Sequence, residues 1–186
     1  MKEDQDAVAR ARRGDEAAYA ELLARYRDRV FTFLLRVVGD ASSAEDLAQE
    51  AFLKAFQSLD RYDPARPFLS WVFKIAHNAA YDDLRRRRVH LSLDDDNEAF
   101  ELADAETSPE DAAEASFDQD LIEKAFAAMP AGYREVLILR HQEELEYAEI
   151  ARITGLPEGT VKIKLFRGRD MLKGKLEALG LAPQTK

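Results

Sequence analysis

The chain has 186 residues, 46% of them apolar, no cysteine and a formal charge of −9. That length fits one large domain or two small ones, and the missing cysteines exclude a disulfide framework and any thiolate-held metal. No apolar run approaches the roughly 18 residues of a membrane span, and the opening residues lack the apolar segment of a secretion signal, so a soluble cytoplasmic protein with no membrane insertion is expected.

Residues 5–13 read as a short helix broken at Gly14. A long amphipathic helix follows over 15–38, with Tyr19, Leu22, Leu23, Tyr26, Val30, Phe33, Leu34 and Val37 at helical spacing. Gly39-Asp40 ends it. Ser42 with Glu45 fits a capping box, and Ser43 with Asp46 offers a second register. The next helix turns Ala48, Phe52, Ala55, Phe56 and Leu59 inward and Glu45, Asp46, Gln49, Glu50 and Lys54 outward. Residues 61–67 hold two prolines and read as a loop, and Pro67 can start a new helix.

That helix, Phe68–Arg88, has two distinct sides. Phe68, Val72, Ile75 and Ala79 fall on one face with Ala76 on its flank; Lys74, Asn78, Tyr81 and Arg85 fall on another. The second face offers amides, a phenol and cations, and the helix closes on four consecutive arginines. Such a surface can hold a nucleic-acid backbone and touch bases.

The net charge does not contradict this. Residues 1–90 carry 16 basic and 15 acidic side chains, residues 91–116 carry ten acidic and no basic ones, and residues 117–186 carry 11 of each. The acidity belongs to one short stretch, and local basic patches decide where phosphates bind. Residues 91–116 bury little and repel themselves, so an extended linker is expected.

The second half is helical again. Phe117–Ala128 is amphipathic, Met129-Pro130 and Gly132 mark a turn, and Tyr133–His141 is a helix. Tyr147–Thr154, the turn at Gly155 and a proline-started helix from Glu158 to Leu176 have the layout of a helix-turn-helix. On the last helix Val161, Leu165, Gly168 and Leu172 share a core face. The opposite face carries Lys162, Ile163, Phe166, Arg167, Asp170 and Lys173. Six of the 18 residues from Glu158 to Lys175 are basic and two acidic, which suits phosphates, while Ile163 and Phe166 suit a thymine methyl or a sugar. No alternating strand pattern occurs. The fold class is all-α, with two helical domains at 1–90 and 117–180, the linker at 91–116, and a tail at 181–186.

With these motifs in place, the chain resembles the bacterial RNA polymerase sigma factors of the extracytoplasmic-function type. Ser43–Phe56 is similar to the polymerase-binding part of their region 2, Phe68–Arg85 to the promoter-melting part, and Met129–Leu137, Glu149–Ala151 and Gly159–Lys162 to region 4. The resemblance implies a non-enzyme without cofactor, metal or small-molecule substrate, active in transcription initiation and stress response. It implies three partners: core RNA polymerase, through the clamp helices of the largest subunit and the flap; promoter DNA; and an anti-sigma factor. Asp46, Gln49, Glu50 and Phe52 would meet the clamp. Asn78 and Tyr62 match positions at the flipped base of the −10 element. Lys74, Tyr81, Arg85, Arg86 and Arg88, with the other arginine of the run, would hold the single strand. Trp71 is either an upstream wedge or plain core. Thr160, Lys162, Ile163, Lys164, Phe166 and Arg167 would face the −35 element. Ile163 stands where a serine is common, Lys164 where an arginine is common, and Gly168 where alanine is usual. The acidic linker would either mimic RNA in the exit path or serve as a tether.

Two other readings compete. A stand-alone helix-turn-helix repressor or activator, with residues 1–90 as a sensor or dimerisation bundle, leaves the arginine run and the Asn78 face unexplained. A carboxylate metalloenzyme built on a helical bundle lacks the paired Glu-x-x-His motifs, and only three histidines are present.

Overall fold

The computed structural model describes residues 2–94 and 117–180, with the side chains of 4–88 and 121–180. Eight α-helices lie within them: α1 Lys2–Ala11, α2 Glu16–Val38, α3 Ala41–Gln57, α4 Phe68–Asp94, α5 Phe117–Ala127, α6 Ala131–His141, α7 Tyr147–Thr154 and α8 Glu158–Ala178, with a short 3₁₀ turn at Leu59–Arg61. The chain forms two compact units: α1–α4 build the first, and α5, α6 and α8 with the start of α7 build the second.

In the first unit, Asp15 caps α2 by accepting from the Ala17 amide, and Gly39 ends it in the left-handed region at φ 77°. The start of α3 differs from expectation. Its cap is Asp40, whose carboxylate accepts from the Ser43 amide, so neither serine opens a capping box. A carboxylate there also faces the positive end of the helix, and these Ser43 hydrogen bonds hold Asp40 below the usual carboxylate range.

α2, α3 and α4 pack around a core rich in aromatic rings. Phe33 meets Phe73 at 5.0 Å, Tyr26 meets Phe68 at 6.0 Å, and Phe56 stacks on Phe68 at 6.3 Å. The buried arc of α4 is wider than the expected stripe. Phe68, Val72, Ala76 and Ala79 are buried as expected, and Phe73 and Ala80 join them, while Ile75 stays at the edge. The reason is that α4 packs against both α2 and α3, so two adjoining faces lose water. α4 also runs on to Asp94, four residues into the stretch read as a linker; residues 95–116 and the tail at 181–186 lie outside the described residues.

α1 is tied to this unit by a buried acid. Asp4 is 6% exposed and accepts from the Tyr26 hydroxyl at 2.7 Å and from Arg25 at 2.6 Å. Burial and the neighbouring carboxylate push the Tyr26 phenol up to about 12.

In the second unit, Val136, Leu137, Ile138 and Leu139 of α6 are buried, as are Val161, Leu165 and Gly168 of α8. α7 ends at Gly155, at φ 73°, a backbone conformation that glycine adopts without cost. Pro157 then precedes the first turn of α8.

Candidate nucleic-acid and polymerase surfaces

α4 presents the first candidate surface. Because Val72, Ala76 and Ala79 point into the core, Asn78, Arg85, Arg86 and Arg88 point out, and all four are exposed. Lys74, His77 and Tyr81 are half-buried, with the His77 and Tyr81 rings 4.5 Å apart. The arginine run is partly paired within its own helix: Arg85 with Asp82 at 2.6 Å, Arg86 with Asp83 at 3.8 Å, and Arg87 with Asp83 at 2.7 Å. Exposed pairs of this kind contribute at most about 1 kcal/mol, so a phosphate can take the place of Asp82 at Arg85. Arg87 is different. It also donates to Ser43 of α3, which draws it toward the bundle, so the run does not act as four equivalent cations.

Tyr62 does not stand open beside Asn78. It is 3% exposed, its ring meets Phe68 at 5.7 Å and Trp71 at 6.3 Å, and its hydroxyl donates to the Arg66 carbonyl. Burial raises its phenol above the usual value. The loop at 59–66 folds its aromatic residue into the bundle because Phe68 and Trp71, one turn apart on α4, provide an apolar seat. Trp71 is half-buried, on the core side of the helix rather than fully outside.

The second surface is the outer face of α3. Asp46 and Gln49 are exposed, and Glu50 is half-buried and paired with Lys54 at 2.5 Å. Phe52 is 3% exposed and so is a core residue first. It nevertheless lines a groove of about 320 Å³ between α2 and α3, together with Leu23, Arg27, Phe31, Glu45 and Gln49. Arg27 and Glu45 face each other across it at 3.8 Å. An apolar floor with charged rims is what an amphipathic helix can fill. Leu23, read as a core position, is 38% exposed at the groove edge.

The third surface is α8. Phe166 is 75% exposed and Ile163 54%, with Lys162 and Arg167 exposed beside them. Two apolar side chains held in water among cations are poorly explained by solvation alone. Lys162 is held by Glu158 at 3.0 Å and lies 5.6 Å from the centre of the Tyr147 ring. Arg140 covers the same ring at 5.1 Å and donates to the Leu145 carbonyl at 2.9 Å. Tyr147 thus gathers two cations, one from α6 and one from α8. Lys164 departs from the expected outward position. It is half-buried and lies 5.0 Å from the Tyr133 ring of α6, because residue 164 is three positions beyond buried Val161 and shares its edge of the helix. Thr160 is half-buried.

Sequence reasoning missed Asp4, Arg12, the Arg87 link to Ser43 and the pairing of Tyr147 with two cations. For Tyr147 a signal existed, since it opens α7 two residues before the recognised Glu149–Ala151 motif. For the others the partners are 21 or more residues apart, and no local pattern marks them.

The chain matches the family model for Sigma-70 region 2 over residues 22–89 and that for Sigma-70 region 4 over residues 119–172, together more than half its length. It is 32% identical over 180 residues to the ECF RNA polymerase sigma factor SigW of Bacillus subtilis, covering 92% of this chain and 96% of the relative. It is 35% identical over 187 residues to the RNA polymerase sigma-H factor of Pseudomonas aeruginosa, covering 96% of each. Among solved structures it is similar to the sigma factor RpoE of Bartonella quintana, in complex with the anti-sigma factor NepR, at 26% identity and a TM-score of 0.71, over 86% of this chain and 96% of that one. Both helical halves are accounted for at once, which the stand-alone repressor reading does not achieve.

Proposed function

The chain belongs to the extracytoplasmic-function sigma factors of bacterial RNA polymerase, and from that premise we propose how its surfaces divide the work. As a sigma factor it binds core polymerase and directs initiation at promoters. Residues 1–90 serve as region 2, 117–180 as region 4, and 91–116 as the acidic linker between them. Asp46, Gln49 and Glu50 meet the polymerase clamp beside the groove floored by Phe52. Asn78 takes the base extruded from the non-template strand, with Tyr81, Lys74, Arg85, Arg86 and Arg88 along its backbone and Trp71 at the upstream edge. Tyr62 supports that site from beneath and reaches the base only if the loop opens. Lys162, Ile163, Phe166 and Arg167 enter the major groove of the upstream element, while Thr160 and Lys164 border it.

The observation that carries this division is the outer face of α8, where Phe166 and Ile163 stand exposed between Lys162 and Arg167. Groove entry gives the apolar pair a place out of water and gives the cations phosphates to neutralise. The chain makes and breaks no covalent bond in this role; the polymerase does. It acts in the cytoplasm, and among the described residues no helix is long and apolar enough to cross a membrane. An anti-sigma protein is its expected regulator, as one accompanies the Bartonella relative.

Run-off transcription with and without core polymerase tests the whole scheme. Specific product is expected only with both present. Tight sequence-specific binding to duplex DNA by the chain alone would overturn the scheme.

A further inference from the structure

We propose that α1 is a working part of the strand-opening surface, and that Arg12, the residue that follows it, is a positioning residue that sets the shape of the loop at 59–66. The inference rests on the base-capture reading above. α1 lies before the stretch matched as region 2, which starts at residue 22.

Three features support it. First, Arg12 reaches across to the loop with a fork of donors. Its Nε and Nη2 donate to the Leu59 carbonyl at 3.1 and 2.8 Å, and Nη2 also donates to the Tyr62 carbonyl at 2.7 Å. Its guanidinium lies 6.0 Å from the centre of the Tyr62 ring. A second clamp comes from the other end of α1, where Gln5 donates to the Pro64 carbonyl at 2.8 Å. Second, the loop's own side-chain bonds are all short-range. Tyr62 donates to the Arg66 carbonyl, the Ala65 amide donates to Asp63 at 2.9 Å, Arg66 pairs with Asp63 at 3.2 Å, and Pro64 has no amide hydrogen to donate. Third, α1 itself is anchored, because buried Asp4 joins it to Tyr26 and Arg25 of α2. The clamp therefore acts from a fixed point.

A captured base is discriminated by hydrogen bonds to its edge, which tolerate misplacement of only about 0.5 Å. Freeing the loop from Arg12 loosens Tyr62 on its seat of Phe68 and Trp71, and the base-capture reading puts Tyr62 beneath the captured base. The effect then falls on which base is preferred, and not on whether polymerase is bound. Lysine cannot replace the fork, since a single ammonium cannot give the planar paired donors of a guanidinium.

The test uses the full chain with core polymerase on four promoters that differ only in the extruded non-template base. Opening is measured on each, and affinity for core polymerase separately. Arg12→Met is expected to reduce the ratio of best to worst base about tenfold, the size of one lost charge-assisted hydrogen bond, with core affinity unchanged. Arg12→Lys and Gln5→Ala are expected to lower the ratio less, and they carry the test if Arg12→Met does not fold. Emission of Trp71, the chain's single tryptophan, 6.3 Å from the Tyr62 ring, is expected to shift in the same order. An unchanged ratio in all three variants, with Asn78→Ala still altering it, overturns the positioning role and leaves base capture standing. An unchanged ratio in Asn78→Ala as well overturns base capture, and this inference with it.

Discussion

Gly168 of α8 sits directly against Leu137 of α6. A Cβ built on Gly168 meets the Leu137 Cδ1 at 3.3 Å and its Cγ at 3.4 Å. Glycine in mid-helix costs about 1 kcal/mol in propensity, and here it lets the two helices approach. Gly168→Ala regains propensity but must displace a leucine that is 2% exposed, so the two effects nearly offset and stability changes by less than about 1 kcal/mol. Gly168→Val overfills the contact and is expected to destabilise by about 1–3 kcal/mol. Urea unfolding of both variants checks the contrast; equal effects would show that packing does not govern this position.

The Asp4–Tyr26 contact is expected to dominate the attachment of α1. Tyr26→Phe keeps the ring in the core and removes the hydroxyl from a buried carboxylate, at a cost of about 1–3 kcal/mol. Linkage gives a second signature. The phenol titrates near 10 in the unfolded chain and at about 12 in the folded one, so the native state favours the protonated form. Its stabilising contribution is complete below pH 10 and is lost as pH rises toward 12. Denaturant titrations across that range should show the loss in the native chain and not in Tyr26→Phe.

His141 gives the opposite dependence. Arg169 donates to its Nε2 at 3.2 Å, which requires a neutral acceptor, and burial together with Arg169 and Arg140 lowers its pKa below 6.5. The unfolded chain therefore binds a proton before the folded chain does. Stability is intact above pH 6.5 and falls as pH drops from there through the folded-state pKa. Melting temperatures measured downward from neutral pH should decline less in His141→Gln, because glutamine can accept from Arg169 without titrating.

The α8 face predicts a salt signature. Lys162→Ala with Arg167→Ala removes two cations from the proposed phosphate contacts, so the slope of log affinity against log salt for upstream duplex should fall by about 2. Tyr147→Ala removes the ring that Lys162 and Arg140 share, leaving their bonds to Glu158 and the Leu145 carbonyl and removing no charge. It is expected to weaken binding about threefold, the scale of an exposed cation–π contact, with the slope unchanged. Affinities at a series of salt concentrations separate the two cases.

Asn78→Ala is expected to slow promoter opening by about tenfold or more, the loss of base-edge hydrogen bonds, while affinity for core polymerase holds. Footprinting of the opened strand alongside a polymerase-binding assay decides this. Equal losses in both would move Asn78 out of the base site.

Helix positions, the all-α class and the outward faces of α3, α4 and α8 were legible in the sequence because they depend on local spacing. Apolar residues at helical intervals mark which side loses water, and the charged side follows by exclusion. The helix-turn-helix was equally local: α7, the turn at Gly155 and α8 occupy 32 consecutive residues from 147 to 178. What only the tertiary structure decided were contacts between distant parts of the chain. Tyr62 carries no local mark of burial, yet Phe68 and Trp71 draw it inward. Arg87 is one of four arginines in a row, and only the fold aims it at Ser43. Arg12 follows an unremarkable helix, and only folding brings the carbonyls of Leu59 and Tyr62 within its reach. Periodicity reports which face of a helix is dry; it carries no information about which distant backbone will meet that face.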